Sequence, residues 1–499
     1  MRARDVQLYR VCEDLTELLI YATVVFSPWA FGTTESWSIW LMNAAGYLLG
    51  FLLTAKLAIR RLKGYQPPRW NDERSLEVGG RCGVAVSRLT AFLFGLTVVI
   101  LGYCLISAAN ARSTFHAEAL SFAYHDDYLK WLPHSLDSGR SWPAFWGYLG
   151  LACSFWAVWD WLLGKSAVEE RAERRRGETG GDGSAPLLPA RLRRLLWVLA
   201  VNGGLLAVEG IAQRLEGSGR LLFLVKPRVN PGADTQFGPY AYRANASQYF
   251  NLLWPVCLGF WWTLNQSYAP KRKTHHAILL CCCVMAACPI ISTSRGGALI
   301  TIGIAVLAAF SLTAIQFLLA ARLRLDRKTR TITLVCLSLF FTGALALGFA
   351  LGWKALKPRM AQLGEGFQHR ERMYDLARPM AQDYPLFGTG PGTFETVFQL
   401  YRFTTETYWP AQLHNDWLET RITFGWFGIG LIALALTVVL LRWFARGGIH
   451  GGRRFAVLIW LALAGCLVHA RYDFPFQIHS IVFLFVVLCS ILFNLTRRA

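Results

Sequence analysis

The chain has 499 residues, 54% of them hydrophobic and only 16% charged, with 51 Lys and Arg against 31 Asp and Glu. A soluble chain of this length would divide into two or three cores. Here the apolar residues come in runs of about twenty, the length a helix needs to cross ~30 Å of hydrocarbon. A net charge of +20 raises nucleic acid as a partner, but the Lys and Arg residues sit in short segments between apolar runs. That is the positive-inside pattern of a membrane protein. The runs lack the alternation of barrel strands, so the sequence predicts an all-α, polytopic integral membrane protein, one membrane domain over residues 1–499.

In chain order, Met1 to Arg10 is basic and precedes an apolar run from Leu15 to Phe31. It lacks a convincing small-residue cleavage site, and a second run follows at once, so it reads as an uncleaved first span. Twelve spans are predicted, over 15–32, 38–59, 89–109, 143–163, 195–213, 245–265, 277–293, 297–320, 331–352, 416–441, 455–470 and 478–495. With the N-terminus inside, the inside segments hold 32 Lys and Arg and the outside segments 17, with Lys56 and Arg421 within spans. Both termini are therefore expected in the cytoplasm. Residues 164–194, with Arg174, Arg175, Arg176 and then Gly180, Gly181 and Gly183, read as a basic cytoplasmic linker loop.

Of the twelve cysteines, Cys12 and Cys82 fall in expected basic loops and the rest in apolar runs. None is expected outside, so no disulfide framework is implied. The second outside loop carries His116, Glu118, His125, Asp126, Asp127 and His134, at a spacing that matches no standard metal-ligand pattern. The longest outside segment, 353–415, is too long for a mere connection. It holds a helix-forming stretch and then PLFGTGPG at 385–392, which reads as turns rather than a nucleotide loop because no strand precedes it.

Three places at the outer face carry candidate chemistry. In Ser292-Thr293-Ser294-Arg295-Gly296-Gly297, Ser294 or a neighbour can cap the following helix. Arg295 then suits either an anion at that helix start or a tight turn with the side chain among headgroups. Arg372 and Leu376 share a helix face in the long loop, as a phosphate contact on the membrane surface or as part of an ordinary amphipathic helix. In HNDWLE at 414–419, Asp416 can cap the next helix with Glu419 closing a capping box. That leaves His414 as a base, an oxyanion donor or a structural helix-end histidine. Arg421, about seven residues into its span, is the one hint of a transporter.

These motifs together resemble the bacterial O-antigen ligase and polymerase superfamily of membrane glycosyltransferases, over roughly residues 230–495. The carriers are STSRGG at 292–297, the Arg-x3-Leu of Arg372 and Leu376 followed by DYPLFGTGPGTF at 383–394, the His-x10-Gly of His414 and Gly425, and HARYDFPFQIHS at 469–480. The resemblance implies a cytoplasmic (inner) membrane enzyme with a periplasmic active site, partly built from the periplasmic loop 353–415. It would move a glycan from undecaprenyl pyrophosphate to an acceptor saccharide or lipid A core, with inversion and without metal or cofactor. It implies that Arg295 and Arg372 grip the pyrophosphate, and that His414 activates the acceptor or helps hold the pyrophosphate. Arg243, in YRANAS where the family often shows an Asn-rich motif, is either a third phosphate contact or a flanking charge. Arg370, Asn415 and Glu419 are further candidates for pyrophosphate or acceptor binding. Protein O-glycosylation within the superfamily, a flippase and a non-catalytic carrier-binding protein are the alternatives.

Overall fold

The computed structural model describes residues 3–70, 80–171, 188–267, 274–320, 327–403, 411–444, 449–450 and 452–496. The centre of the expected linker, 172–187, lies outside them. The main helices are α1 Ala3–Trp29, α2 Ser36–Leu62, α3 Gly80–Ala109, α4 Ser138–Leu163, α5 Ala190–Glu216, α6 Arg243–Ser267, α7 His276–Ile291, α8 Arg295–Ala320, α9 Arg327–Ala361, α10 Leu363–Asp383, α11 Asp416–Leu441, α12 Arg453–His469 and α13 His479–Asn494. Among the described residues, six helices are long and apolar enough to cross a membrane, within α2, α3, α5, α8, α9 and α11. Shorter apolar helices occupy α7, α12 and α13. The chain is an all-α membrane protein, with a small hairpin, β1 Ser113–His116 against β2 Ser121–Tyr124, in the segment expected as the second outside loop. A further parallel pair joins Ile449–His450 to Leu495–Thr496.

Helices stand over all twelve segments predicted to span, but they overrun the apolar runs. Cys12 is buried on α1 and Cys82 falls within α3, so neither lies in a loop as expected. Long helices persist beyond the apolar run because each further residue adds a backbone hydrogen bond once the helix is nucleated.

α6 is buried on every side and sits at the centre, with Leu252, Leu253, Trp254, Val256, Leu258 and Trp261 all fully buried beside the polar Gln248 and Asn251. α13 is buried almost as completely. The outer helices instead present Phe51, Phe94, Val98, Phe310 and Leu339 on exposed faces, which suits lipid and not water. Lys56, predicted within a span, is fully buried on α2 and lies 3.1 Å from both Glu13 and Asp160. Asp160 also meets Arg60 at 2.7 Å and Arg69 at 2.9 Å, and Arg191 pairs with Glu13. The cluster ties α1, α2, α4 and α5 together at one end of the bundle. Arg214, at the far end of α5, donates to the Thr293 hydroxyl at 3.0 Å. Residues 191 and 214 of one helix stand roughly 35 Å apart, so the candidate site motifs gather at the end opposite the ion cluster.

The turn-rich segment 385–392 docks onto α11 where that helix breaks. Gly425 has φ 62° and ψ −172°, a region essentially restricted to glycine. Around it Thr389 N donates to Ile422 O at 2.9 Å, Gly390 N to Thr423 O at 3.0 Å and Trp426 N to Pro385 O at 2.9 Å. A Cβ on Gly425 would run into the Leu386 carbonyl. Gly425→Ala should therefore lower stability by roughly 1–3 kcal/mol, seen as a lower thermal midpoint in detergent. Gly430→Ala, where an added Cβ meets nothing, should leave the midpoint unchanged.

Candidate active site

Ser294 caps α8, its hydroxyl accepting from Gly297 N at 3.2 Å, as its sequence position predicts. This sets Arg295 at the first turn, where its guanidinium donates to the carbonyls of Gln362 at 2.8 Å and Arg359 at 3.5 Å. α10 begins immediately beyond. Its Gly366 lies against the Arg295 guanidinium, so closely that a Cβ there would be only 2.5 Å from Nη2. One turn on, Arg370 faces Asp473 at 3.6 Å and the Tyr242 hydroxyl at 3.4 Å, and donates to the Tyr472 carbonyl. Arg243, the first residue of α6, donates to the Asp234 carbonyl and lies 3.4 Å from its carboxylate. Arg243, Arg295, Arg359 and Arg370 line one cavity of about 640 Å³, together with Tyr242, His469, Tyr472 and Asp473. Its remaining wall is largely apolar, including Leu299, Ile300, Ile304, Leu307 and Leu461.

Arg372 is not brought to this cavity. It lies two residues after Arg370, about 200° around the helix, and is exposed. Leu376, on its side of α10, is half-buried against the cluster built on Tyr374, Ala377, Phe394 and Phe398. The helix is amphipathic as expected, with Arg370 on the side that meets the bundle.

The cavity is rich in unspent positive charge. Among the described residues Arg295 has only carbonyl partners, and the Arg359 Nε is buried with no partner. Burial pulls the Arg243 guanidinium below its usual value, and Arg214 adds repulsion against the opposing pull of Tyr242 and Asp234. Four guanidinium groups around a largely apolar space suit a multiply charged anion with an apolar tail.

The single buried carboxylate on this wall is Asp473, 5% exposed. Burial alone would push its carboxyl up. The hydrogen bond from His414 and the charges of Arg370, His414 and His469 overcome that and hold it well below the usual carboxylate range. Arg370 is raised in return, the charge of Asp473 outweighing its burial.

His414 Nδ1 lies 2.9 Å from Asp473 Oδ1. The residue has φ 57° and its ring packs against Phe474 and Tyr242. Its carbonyl accepts from the Tyr374 hydroxyl at 2.7 Å, which ties it to α10. The helix behind it is capped by Asn415, which accepts from Leu418 N at 3.2 Å. This corrects the expected cap at Asp416. The Asp416 carboxylate accepts instead from Phe476 N at 2.7 Å and Gln477 at 3.2 Å, while Glu419 reaches back to Leu413 N at 2.8 Å. Asn415 and Glu419 are thus buried behind His414 and do not line the arginine cavity. The geometry leaves His414 Nε2 without a partner among the described residues, the arrangement of an imidazole oriented for proton transfer.

Asp473, Tyr242, Arg359 and His469 escaped the reading of the sequence as individual residues. HARYDFPFQIHS was singled out as a block, and His469 and Asp473 within it stand four apart, with 3.9 Å between Nε2 and Oδ2. Arg421, the transporter hint, is a clamp: it donates to the carbonyls of Pro385 at 3.1 Å and Ala381 at 3.2 Å and stacks over Trp426. In the second outside loop His125 contacts Ala111 O and the Thr114 hydroxyl, and His134 contacts Leu132 O. No three His, Cys, Asp or Glu gather at metal-binding distance among the described residues.

Residues 280–433 match the family model described as O-antigen ligase. This stretch, about a third of the chain, is thus similar to that family, and it lies within the region whose motifs resemble the O-antigen ligase and polymerase superfamily. The matched segment carries Arg295, Arg370, Arg372, His414 and Gly425, whereas Arg243 and Asp473 lie outside it. No curated protein matches the chain.

Removing the carboxylate should expose its role. Asp473→Ala leaves Arg370 facing the cavity without its counter-charge, at an expected cost of about 3 kcal/mol near neutral pH. Because the folded carboxyl titrates below its unfolded value of about 3.9, this stabilisation is present above pH ~4 and is lost as pH falls below it. The margin by which the wild-type thermal midpoint exceeds that of Asp473→Asn should hold from pH 7 to about pH 4 and narrow as pH falls further, without closing by pH 3.

Proposed function

We propose that this chain belongs to the O-antigen ligase and polymerase superfamily and is a membrane glycosyltransferase that moves a glycan from undecaprenyl pyrophosphate to an acceptor hydroxyl on the periplasmic face, as a ligase or polymerase of surface polysaccharide. The observation that carries this reading is the convergence of Arg243, Arg295, Arg359 and Arg370 on one largely apolar cavity, with the lining residue Asp473 bonded to His414 behind it. The apolar wall suits a prenyl chain, and the arginines suit the pyrophosphate. The end-to-end separation from the ion cluster of Lys56, Arg60, Arg69 and Arg191 supports a twelve-span bundle with basic segments inside and the site outside.

The chemistry is a single displacement. The acceptor oxygen forms a bond to the anomeric carbon while the bond from that carbon to the pyrophosphate oxygen breaks, inverting the centre. The electron pair leaves on the pyrophosphate, where the guanidinium groups stabilise the growing charge. The hydroxyl proton goes to His414 Nε2, and Asp473 fixes the ring through Nδ1 and stabilises the imidazolium. In this reading Arg370 takes the role that the Arg-x3-Leu motif gives to Arg372. Protein O-glycosylation uses the same donor site and differs in the acceptor. Transport loses its main motive with Arg421 committed to the loop carbonyls.

The test is transfer by the purified protein with undecaprenyl-pyrophosphate glycan and acceptor. Arg370→Ala should lose roughly 10²–10³-fold in rate and His414→Ala roughly 10²–10⁴-fold. Arg370→Lys should recover only part, because an ammonium cannot fork across two phosphate oxygens. Arg372→Ala should stay within roughly threefold of wild type, as an exposed residue without a partner among the described residues. Full transfer by both Arg370→Ala and His414→Ala would overturn the assignment.

A further inference from the structure

Asp473 stands between two histidines. His414 bonds to its Oδ1, and His469 Nε2 lies 3.9 Å from its Oδ2. His469 is the last residue of α12 and is 2% exposed, yet it lines the arginine cavity, which His414 does not. Its Nδ1 bonds to Gln248 Oε1 on the central helix α6. An amide oxygen only accepts, so this bond needs a proton on Nδ1. A neutral His469 therefore keeps its lone pair on Nε2.

That nitrogen has no hydrogen-bond partner among the described residues, since Asp473 is too distant for one. The ring edge that carries it is turned to Gly296, another residue of the cavity wall: a Cβ on Gly296 would sit 3.5 Å from Nε2. Gly296 belongs to the first turn of α8, where backbone N–H groups have no partner within the helix. Ser294 satisfies the one on Gly297. The turn and the imidazole thus stand side by side on one wall, and an anion seated against the turn also meets Nε2.

A neutral ring suits that anion badly. Its lone pair would face phosphate oxygens with a carboxylate also near, and no hydrogen would lie between them. One proton on Nε2 removes the conflict, because the ring then donates from both nitrogens. The charges that act on it are Asp473, which favours the cation, and Arg370 of α10, which opposes it. Arg295 precedes Gly296 on α8, Tyr242 and Tyr472 are the other titratable groups on this wall, and α6 presents the uncharged Gln248. A bound phosphate adds to the pull of Asp473 and offsets the guanidinium groups, so the balance tips towards the cation as the anion arrives.

We propose that His469 is a pyrophosphate-binding residue that takes up one proton as the lipid-linked donor enters, with one phosphate seated against its Nε2 and the first turn of α8. The proposal rests on the reading of the arginine cavity as the donor site. It gives the cavity a fifth cation that exists only while the anion is bound.

The test is calorimetry on the full chain in nanodiscs with farnesyl pyrophosphate, a soluble probe with the same pyrophosphate head and a short prenyl tail. Titrations near pH 7.5 in buffers of different ionisation enthalpy count the protons exchanged. Wild-type binding should take up about one proton more than binding by His469→Gln, which should be roughly tenfold weaker. Gln248→Glu places a carboxylate on Nδ1 and should keep the ring protonated in the free protein, so its binding should take up no proton. Binding by the wild type with no more uptake than by His469→Gln, or uptake undiminished in Gln248→Glu, would overturn the proposal and leave the donor reading standing. If neither variant folds, the wild type decides alone: uptake that fades as pH rises from 7 to 9 supports the proposal, and none at any pH overturns it. A wild type that does not bind the probe would sink the donor reading and the proposal with it.

Discussion

Asp473 is a buried carboxylate, and a buried carboxylate persists only with charge and hydrogen bonds around it. Here they come from separate parts of the chain: Arg370 from α10, His414 from the approach to α11 and Tyr242 from the approach to α6, with His469 one turn back. One group therefore fixes the relative positions of the long loop, the His414 turn and the central helix. It also divides the labour of the site. Arg370 is neutralised in part and held in place, whereas Arg295 and Arg359 keep their charge without a carboxylate among the described residues.

The bundle behind this arrangement follows from two simpler demands. Backbone groups in lipid must be satisfied within the segment, which gives helices, and charges within those helices must be paired. Lys56, Glu13 and Asp160 meet the second demand at one end. At the other end, α11 breaks at Gly425 and the loop 385–392 fills the break with main-chain hydrogen bonds. Arg421 holds the same loop by its carbonyls. The glycine of the His-x10-Gly pattern thus acts at a distance, by seating the scaffold on which His414 rests.

Much of this was legible in the sequence because it is local. Apolar runs of span length mark helices, Ser294 marks a cap, and Gly388, Gly390 and Gly392 mark turns. The sequence singles out Arg295, Arg243, Arg370 and His414, since each stands at or near an expected outer-face boundary where a charge is conspicuous. What failed was angular and long-range. Arg370 and Arg372 differ by two positions, and only the packing of Tyr374, Ala377 and Met380 decides which of them faces inward. Asp416 and Glu419 form a plausible capping box, but Phe476 and Gln477, some sixty residues away, capture Asp416 and leave the cap to Asn415. Asp473 was passed over for the same reason: its partners lie 59, 103 and 231 residues away along the chain.

The central claim is that the arginine cavity holds the pyrophosphate of a lipid-linked donor, with His414 and Asp473 beside the sugar. The most direct measurement is a cryo-EM structure of the full chain with undecaprenyl-pyrophosphate glycan bound. The account predicts pyrophosphate density within hydrogen-bond reach of Arg243, Arg295 and Arg370, and the prenyl chain along Leu299, Ile304 and Leu307. Pyrophosphate density against Arg372 on the exposed side of α10, with the cavity empty, would contradict it.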